Sequence, residues 1–130
     1  SRYIDTGQVR FIYRNFPTSN AAIRGAVAAR CAGDLYYKML DVLFARVGAW
    51  AEADDVDRAL IQQAAALNID EEDFYACIND PSQDQAIIAV QLQAKTEFDI
   101  IGTPTFVVNG KVVRGKKTIE QIDALINKAL

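Results

Sequence analysis

Ile101-Gly102-Thr103-Pro104-Thr105-Phe106-Val107-Val108-Asn109-Gly110-Lys111-Val112-Val113 is the stretch on which the fold turns. Read from its end, it is a β-hairpin. Two short β-branched runs flank Asn109-Gly110, the pair that best tolerates the φ > 0 conformations of a two-residue type I′ turn. Pro104 stands where the first strand begins, a position at which a missing N–H does little harm. Thr105 to Val108 carry no charge, which predicts a strand covered on both faces. Lys111 and Arg114 make the second strand more polar, as an edge strand should be. Pro104 has two readings on the residues alone. A trans proline that stiffens the start of a strand is the commoner, since about 5% of X–Pro bonds in folded proteins are cis. A cis proline would turn the backbone of Thr103 outward, where an extended peptide could pair with it.

The 130 residues suit one compact chain, and 51% of them are apolar, enough for a real core. A net charge of −3 argues against a phosphate-binding surface, so no nucleic-acid partner is expected. Lys111, Arg114, Lys116 and Lys117 cluster, but read as a solvated edge. No apolar run approaches the roughly 18 residues needed to span a bilayer, so no stable membrane insertion is expected. No signal peptide precedes Ser1, so a secreted origin would be visible only as a processed product. With no His and two Cys, the chain cannot close a four-ligand zinc site from those residues, and no metal or other cofactor is expected. A mechanism that needs an imidazole of this chain as its base is not expected either.

Val9, Phe11 and Tyr13 alternate with Arg10, Ile12 and Arg14, which predicts a strand from Val9 to Phe16 that Pro17 ends. Asp5 to Gln8 read as a turn, and Ser1 to Ile4 as the tail of a preceding helix. From Thr18 to about Asp99 the pattern is helical, in five pieces. Ser19 or Asn20 caps the first, whose stripe runs Ala22, Ile23, Ala26, Val27 and Arg30-Cys31 before Gly33 stops it. Asp34 caps the second, which buries Leu35, Met39, Val42 and Leu43 and ends before Gly48. Asp54 or Asp55 opens the third, with Val56, Leu60, Ile61, Ala64 and Leu67 inward and Asn68 as the stop. Asp70 begins the fourth, whose acidic first turn complements the helix dipole and whose Phe74, Cys77 and Ile78 share a face. Ser82 and Gln85 form a capping box for a long fifth helix. It carries Ala86, Ile87, Val90, Ala94 and Phe98 on one side and Ile88 and Leu92 on the other, so it should be buried from two directions. After the hairpin, Thr118 and Gln121 repeat the capping box ahead of a stripe of Ile119, Ile122, Leu125, Ile126 and Ala129. The acidic residues at 54–57 and 71–73 stand at helix starts, which explains them without catalysis. Trp50, Tyr36 and Tyr37 read as core or groove-lining aromatics.

The order strand, five helices, hairpin, helix resembles the DsbA-like thiol–disulfide oxidoreductases of the thioredoxin superfamily. Three segments carry the resemblance: Tyr3 to Pro17, Ala28-Ala29-Arg30-Cys31-Ala32-Gly33, and, most specific, Ile101 to Gly110. It implies an α/β fold, a partial thioredoxin-like domain formed by residues 1–17 and 100–130, with an inserted all-helical domain over 18–99. It implies that the Thr103–Pro104 bond is cis and that Thr103 and Pro104 hold substrate by β-type pairing. It implies an oxidising compartment, periplasmic or otherwise extracytoplasmic in a bacterium, in which Cys31 and Cys77 would form a structural disulfide. Two free buried thiols are the alternative, since both cysteines lie on apolar helical faces.

The family's chemistry needs a Cys-x-x-Cys at a helix start, where the dipole stabilises a thiolate. No such motif occurs in these residues, so no catalytic residue is assigned to this chain. The resemblance places that motif, and the family's first strand, ahead of Tyr3. The chain is therefore expected to be inert alone, as part of an enzyme that introduces or exchanges disulfides in exported proteins. Cysteine-containing exported polypeptides and a redox partner protein would be its partners. The first strand would lie between Val9–Tyr13 and Thr105–Val108. Its place would be filled by an N-terminal segment outside this sequence, by a swapped element of a second copy in a homodimer, or by a rearranged sheet. Two other functions fit the same fold: a non-catalytic thioredoxin-like peptide-binding module, and a kappa-class-like glutathione transferase or isomerase.

Overall fold

Seven α-helices and one hairpin make up the computed structural model, which describes residues 2–130. They fall into two compact units, one formed by Pro17–Gln91 and the other by the residues up to Phe16 together with Leu92–Leu130.

The helical unit begins where the Ala22 N–H donates to Ser19 Oγ at 3.1 Å, capping α1 (Asn20–Cys31). A single 3-10 turn, Gly33–Leu35, then leads into α2 (Tyr36–Ala45). Asp34 sits inside that turn and gives α2 no side-chain cap, contrary to the sequence expectation. Gly33, at φ +56°, starts the turn three residues ahead of α2, so Asp34 is too early to reach the helix's first N–H groups. Gly48 does not follow a helix end either. It lies within a further short turn of helix, α3 (Val47–Trp50). Asp55 caps α4 (Val56–Ala65), Asn68 takes φ +58° beyond it, and Asp70 caps α5 (Glu71–Ile78).

α6 (Pro81–Phe98) starts two residues earlier than the predicted capping box allows. Pro81 takes the first helical position, and the Asp80 carboxylate accepts from the Ser82 N–H at 2.9 Å. That bond holds the Asp80 carboxyl below its usual range.

α1 is the centre of this unit and packs against α2, α4 and α5. Val27, Ala28 and Ala29 are wholly enclosed, as are Met39, Leu60, Phe74 and Ile78 from its neighbours. Small residues on α1 let the other helices approach closely. At Gly25 the approach is limiting, because an added Cβ would lie 2.5 Å from Cη2 of Trp50. The Trp50 indole N–H donates to the Leu43 carbonyl at 2.9 Å, fixing the ring over α1.

Arg24 organises the polar end of the same unit. Its guanidinium donates to both carboxylate oxygens of Asp57, at 2.8 and 3.2 Å, to Asp84 Oδ1 at 2.9 Å and to the Ile78 carbonyl at 2.6 Å. Asp57 and Asp84 lie in the first turns of α4 and α6, and Ile78 ends α5. One cation thus pairs two acidic helix starts and satisfies a carbonyl that the helix leaves orphaned. The Asp57 hydrogen bond keeps the Arg24 pKa above its ordinary value.

The second unit contains the hairpin, β1 (Thr105–Val108) and β2 (Lys111–Arg114), paired antiparallel with Val108 opposite Lys111. Asn109 and Gly110 take φ +48° and +84°, as a type I′ turn requires. Thr118 and Gln121 form a complete capping box for α7 (Ile119–Ala129). The N-terminal turn is fastened to this helix by Arg2 to Asp123 at 2.8 Å. An open groove of about 380 Å³ lies there, floored by Ile119, Ile122 and Ile126.

Three expectations fail in or beside this unit. Val9–Phe16 is not a strand: among the described residues the sheet holds β1 and β2 alone. Alternation marks a strand's faces, but ladder hydrogen bonds need a neighbour, and none is supplied to this segment. Phe11 and Ile12 are accordingly half exposed. β1 is not covered on both faces either, and Val107 is 39% exposed. Of the two apolar sides of α6, only Ile87 is enclosed, while Ile88 and Leu92 are more than half exposed.

Candidate functional site: the Thr103–Pro104 loop

Asp99 to Pro104 connects α6 to β1, and its shape is fixed from both ends. Asp99 takes φ +51°, which turns the chain sharply out of the helix. The Ile100 N–H then reaches back to the Ala94 carbonyl at 3.3 Å, and Arg114 Nη2 donates to the Asp99 carbonyl at 3.0 Å. At the other end, Thr105 Oγ1 donates to the Gly102 carbonyl at 2.7 Å. The Gly115 N–H donates to the Pro104 carbonyl at 2.9 Å, extending the hairpin pairing by one step.

Between these anchors the Thr103–Pro104 peptide bond is cis. Both residues are exposed, and Ile101 beside them is 83% exposed. The Thr103 backbone makes no hydrogen bond among the described residues, so its N–H and C=O are presented to solvent on a loop that is held around them. Such a segment can pair with an extended chain. Arg114 was read from sequence as a solvated edge residue; its bond to Asp99 makes it a positioning residue for this loop. The Thr105–Gly102 bond is a further anchor that the sequence reading does not contain, although a threonine hydroxyl commonly bonds a carbonyl three residues back.

Cys31 and Cys77 are joined, with S–S 2.10 Å and Cα atoms 5.9 Å apart. The bridge ties α1 to α5 across 46 positions. Its placement is informative about chemistry. Cys31 is the last residue of α1 and Cys77 the last but one of α5. A thiolate there would face the negative ends of two helix dipoles, the opposite of the setting that lowers a thiol pKa. Neither cysteine belongs to the Thr103–Pro104 unit. No three His, Cys, Asp or Glu side chains among the described residues converge to hold a metal ion. No described helix is long and apolar enough to cross a membrane.

Comparison with known proteins gives these features a context. The profile of a family described as thioredoxin matches residues 1–128. A "Putative protein-disulfide oxidoreductase" of Rickettsia felis is 27% identical over 99% of the chain, and one of Rickettsia bellii is 28% identical over 99%. The chain spans about half the length of these curated relatives, 47% and 50% respectively. A segment amounting to 19% of the Na(+)/H(+) antiporter NhaA 1 of Salinispora arenicola is 30% identical over 96% of the chain. Among solved structures, alpha-DsbA1 of Wolbachia pipientis superposes with a TM-score of 0.83 at 25% identity, covering 98% of this chain and 71% of that one.

Proposed function

Because the chain belongs to the thioredoxin family and is DsbA-like in fold, with a helical unit set between its thioredoxin-like segments, we propose that it is the substrate-docking part of a protein thiol–disulfide oxidoreductase. The observation that carries this reading is the exposed Thr103–Pro104 loop, anchored ahead of the hairpin with the Thr103 backbone presented to solvent. Thr103 and Pro104 hold an extended stretch of a cysteine-containing polypeptide by backbone pairing. A Cys-x-x-Cys thiolate, which these 130 residues do not contain, attacks one sulfur of the substrate disulfide. The mixed disulfide that forms is resolved by a second thiolate, so that two electrons pass and one disulfide replaces another. The Cys31–Cys77 bridge is structural in this scheme, and the pairing of the two cysteines supports an oxidising, extracytoplasmic setting. Where the second thiolate is the motif's own, the motif ends as a disulfide, and a redox partner protein would then reduce it back to the dithiol.

A second reading has its own support in the Salinispora match, where a similar segment forms a small part of a protein named as an antiporter. On that reading the loop is a peptide-docking module without redox chemistry.

Titration of the isotope-labelled chain with an extended peptide whose cysteine is alkylated tests the docking step. Shifts centred on Thr103 and Thr105 are expected, and shifts confined to the helical unit would contradict it. An insulin-reduction assay tests the chemistry. The chain alone is expected to be inactive, and activity abolished by Cys31→Ser would make Cys31 the nucleophile.

A further inference from the structure

We propose that Thr105 is the positioning residue of the docking loop: its hydroxyl holds the Gly102 carbonyl and thereby aims the Thr103 N–H at the incoming polypeptide. The role rests on the docking reading, since Thr103 pairs with an extended chain only if its N–H points towards that chain.

The Gly102 C=O and the Thr103 N–H belong to one peptide unit. That unit is planar, and it is trans, because the cis bond among the described residues is the next one along. In a trans unit the C=O and the N–H point in opposite directions. A group that fixes the Gly102 carbonyl therefore fixes the Thr103 N–H as well. Thr105 Oγ1 donates to that carbonyl at 2.7 Å, the usual length of an O–H···O bond. The carbonyl is drawn towards the start of β1, and the Thr103 N–H is turned away from it.

The hydroxyl is the restraint that this unit has. Gly102 brings the conformational freedom of a residue without Cβ, and a Cβ added there would meet nothing within 4 Å, so packing does not restrain it on that side. No backbone hydrogen bond among the described residues engages Gly102 or Thr103. The bonds at the Asp99 and Pro104 carbonyls fix the two ends of the loop and leave the plane between them to turn.

Thr105 is suited to the task. It opens β1, directly after the Pro104 carbonyl that the Gly115 N–H holds at 2.9 Å, so its backbone is a fixed base. Its branched Cβ restricts χ1, which leaves the hydroxyl few directions to take. Valine has nearly the same shape without the hydroxyl, and serine has the hydroxyl without the branch. That pair of substitutions separates the bond from the packing.

The test compares the isotope-labelled native chain with Thr105→Val and Thr105→Ser by two readouts. The first is the order parameter of the Thr103 N–H without peptide. It should lie near the rigid value of about 0.85 in the native chain and fall towards the flexible range, below about 0.6, in Thr105→Val. The second is the affinity for the extended peptide with alkylated cysteine. Thr105→Val should bind about tenfold more weakly, and Thr105→Ser should stay within about threefold of the native chain. Amide signals of Asn109 and Gly110 that stay in place show an intact hairpin, and should Thr105→Val displace them, Thr105→Ala carries the comparison. A Thr103 N–H that is mobile in the native chain, or as rigid in Thr105→Val as in the native chain, would overturn the proposal. So would native affinity in Thr105→Val, or equal loss in Thr105→Ser. A native chain that binds no peptide would remove the docking reading and this role together, whereas native binding that Thr105→Val leaves unchanged would remove this role alone.

Discussion

Ile87 and Ile119 both belong to apolar stripes on helices, yet Ile87 is 2% exposed and Ile119 is 74% exposed. The contrast holds for the two units as wholes. Every enclosed side chain among the described residues lies between Gly25 and Ile87, and the hairpin unit has none. A hydrophobic pattern states which face of an element needs cover. Whether that cover exists depends on elements elsewhere in the chain or outside it. In the helical unit α2, α4 and α5 surround α1, so the pattern is fulfilled. In the other unit a single hairpin and α7 offer too few surfaces to close a core, and a two-stranded sheet is marginal by itself.

If this difference is real, matched truncations should have unequal costs. Phe74→Ala leaves a cavity in an enclosed site and should destabilise the helical unit by about 3–5 kcal/mol in chemical denaturation. Ile119→Ala removes a side chain already in solvent and should change stability by no more than about 0.5 kcal/mol. Comparable losses at the two sites would break the comparison.

The Cys31–Cys77 bridge sharpens it further. Closing a 46-residue separation stabilises by at most about 4 kcal/mol in the chain-entropy account. The paired change Cys31→Ser and Cys77→Ser should lower the stability of the helical unit towards that limit. Amide signals of Thr105–Arg114 should stay in place, and their movement would show that the units are coupled.

The smallest effect is expected at Asp80. Its carboxyl titrates below the usual 3.8 because the folded state supplies the Ser82 N–H. The unfolded chain binds the proton more tightly, so this contribution is complete above 3.8 and is lost as pH falls through the lower folded value. Asp80→Asn should flatten that part of an acid denaturation curve, and an unchanged curve would remove Asp80 from the α6 cap.

These residues also show what could be read in advance. The hairpin and the caps at Ser19, Asp55, Asp70 and Thr118 are legible because each signal is local, contained in a turn pair or a cap within three residues of its N–H, whereas the fold class follows from the family resemblance. The start of α6 was misread because Ser82 and Gln85 match a capping box, while Asp80-Pro81 is the stronger start. The strand expected at Val9–Phe16 failed for a different reason, since its alternation is present but a ladder partner is not. Arg24 was invisible in sequence because its acceptors lie 33, 54 and 60 positions away. Of the candidate site, Thr103 and Pro104 enter through the family resemblance that the hairpin and its flanks carry, since the residues alone leave Pro104 open between two readings. Arg114 and Asp99, which hold the loop, give no such signal, because their bond joins residues 15 positions apart.

Native-state hydrogen exchange, resolved by residue and run at high dilution, tests the division between the units most directly. Amides of Val27–Ala29, Leu60, Phe74 and Ile78 should exchange only through global unfolding of the helical unit. Those of Phe106, Val108, Val113 and Ile122–Ile126 should exchange orders of magnitude faster, through local opening. Equal protection in the two sets would contradict the account, because it would mean that the hairpin unit closes a core of its own.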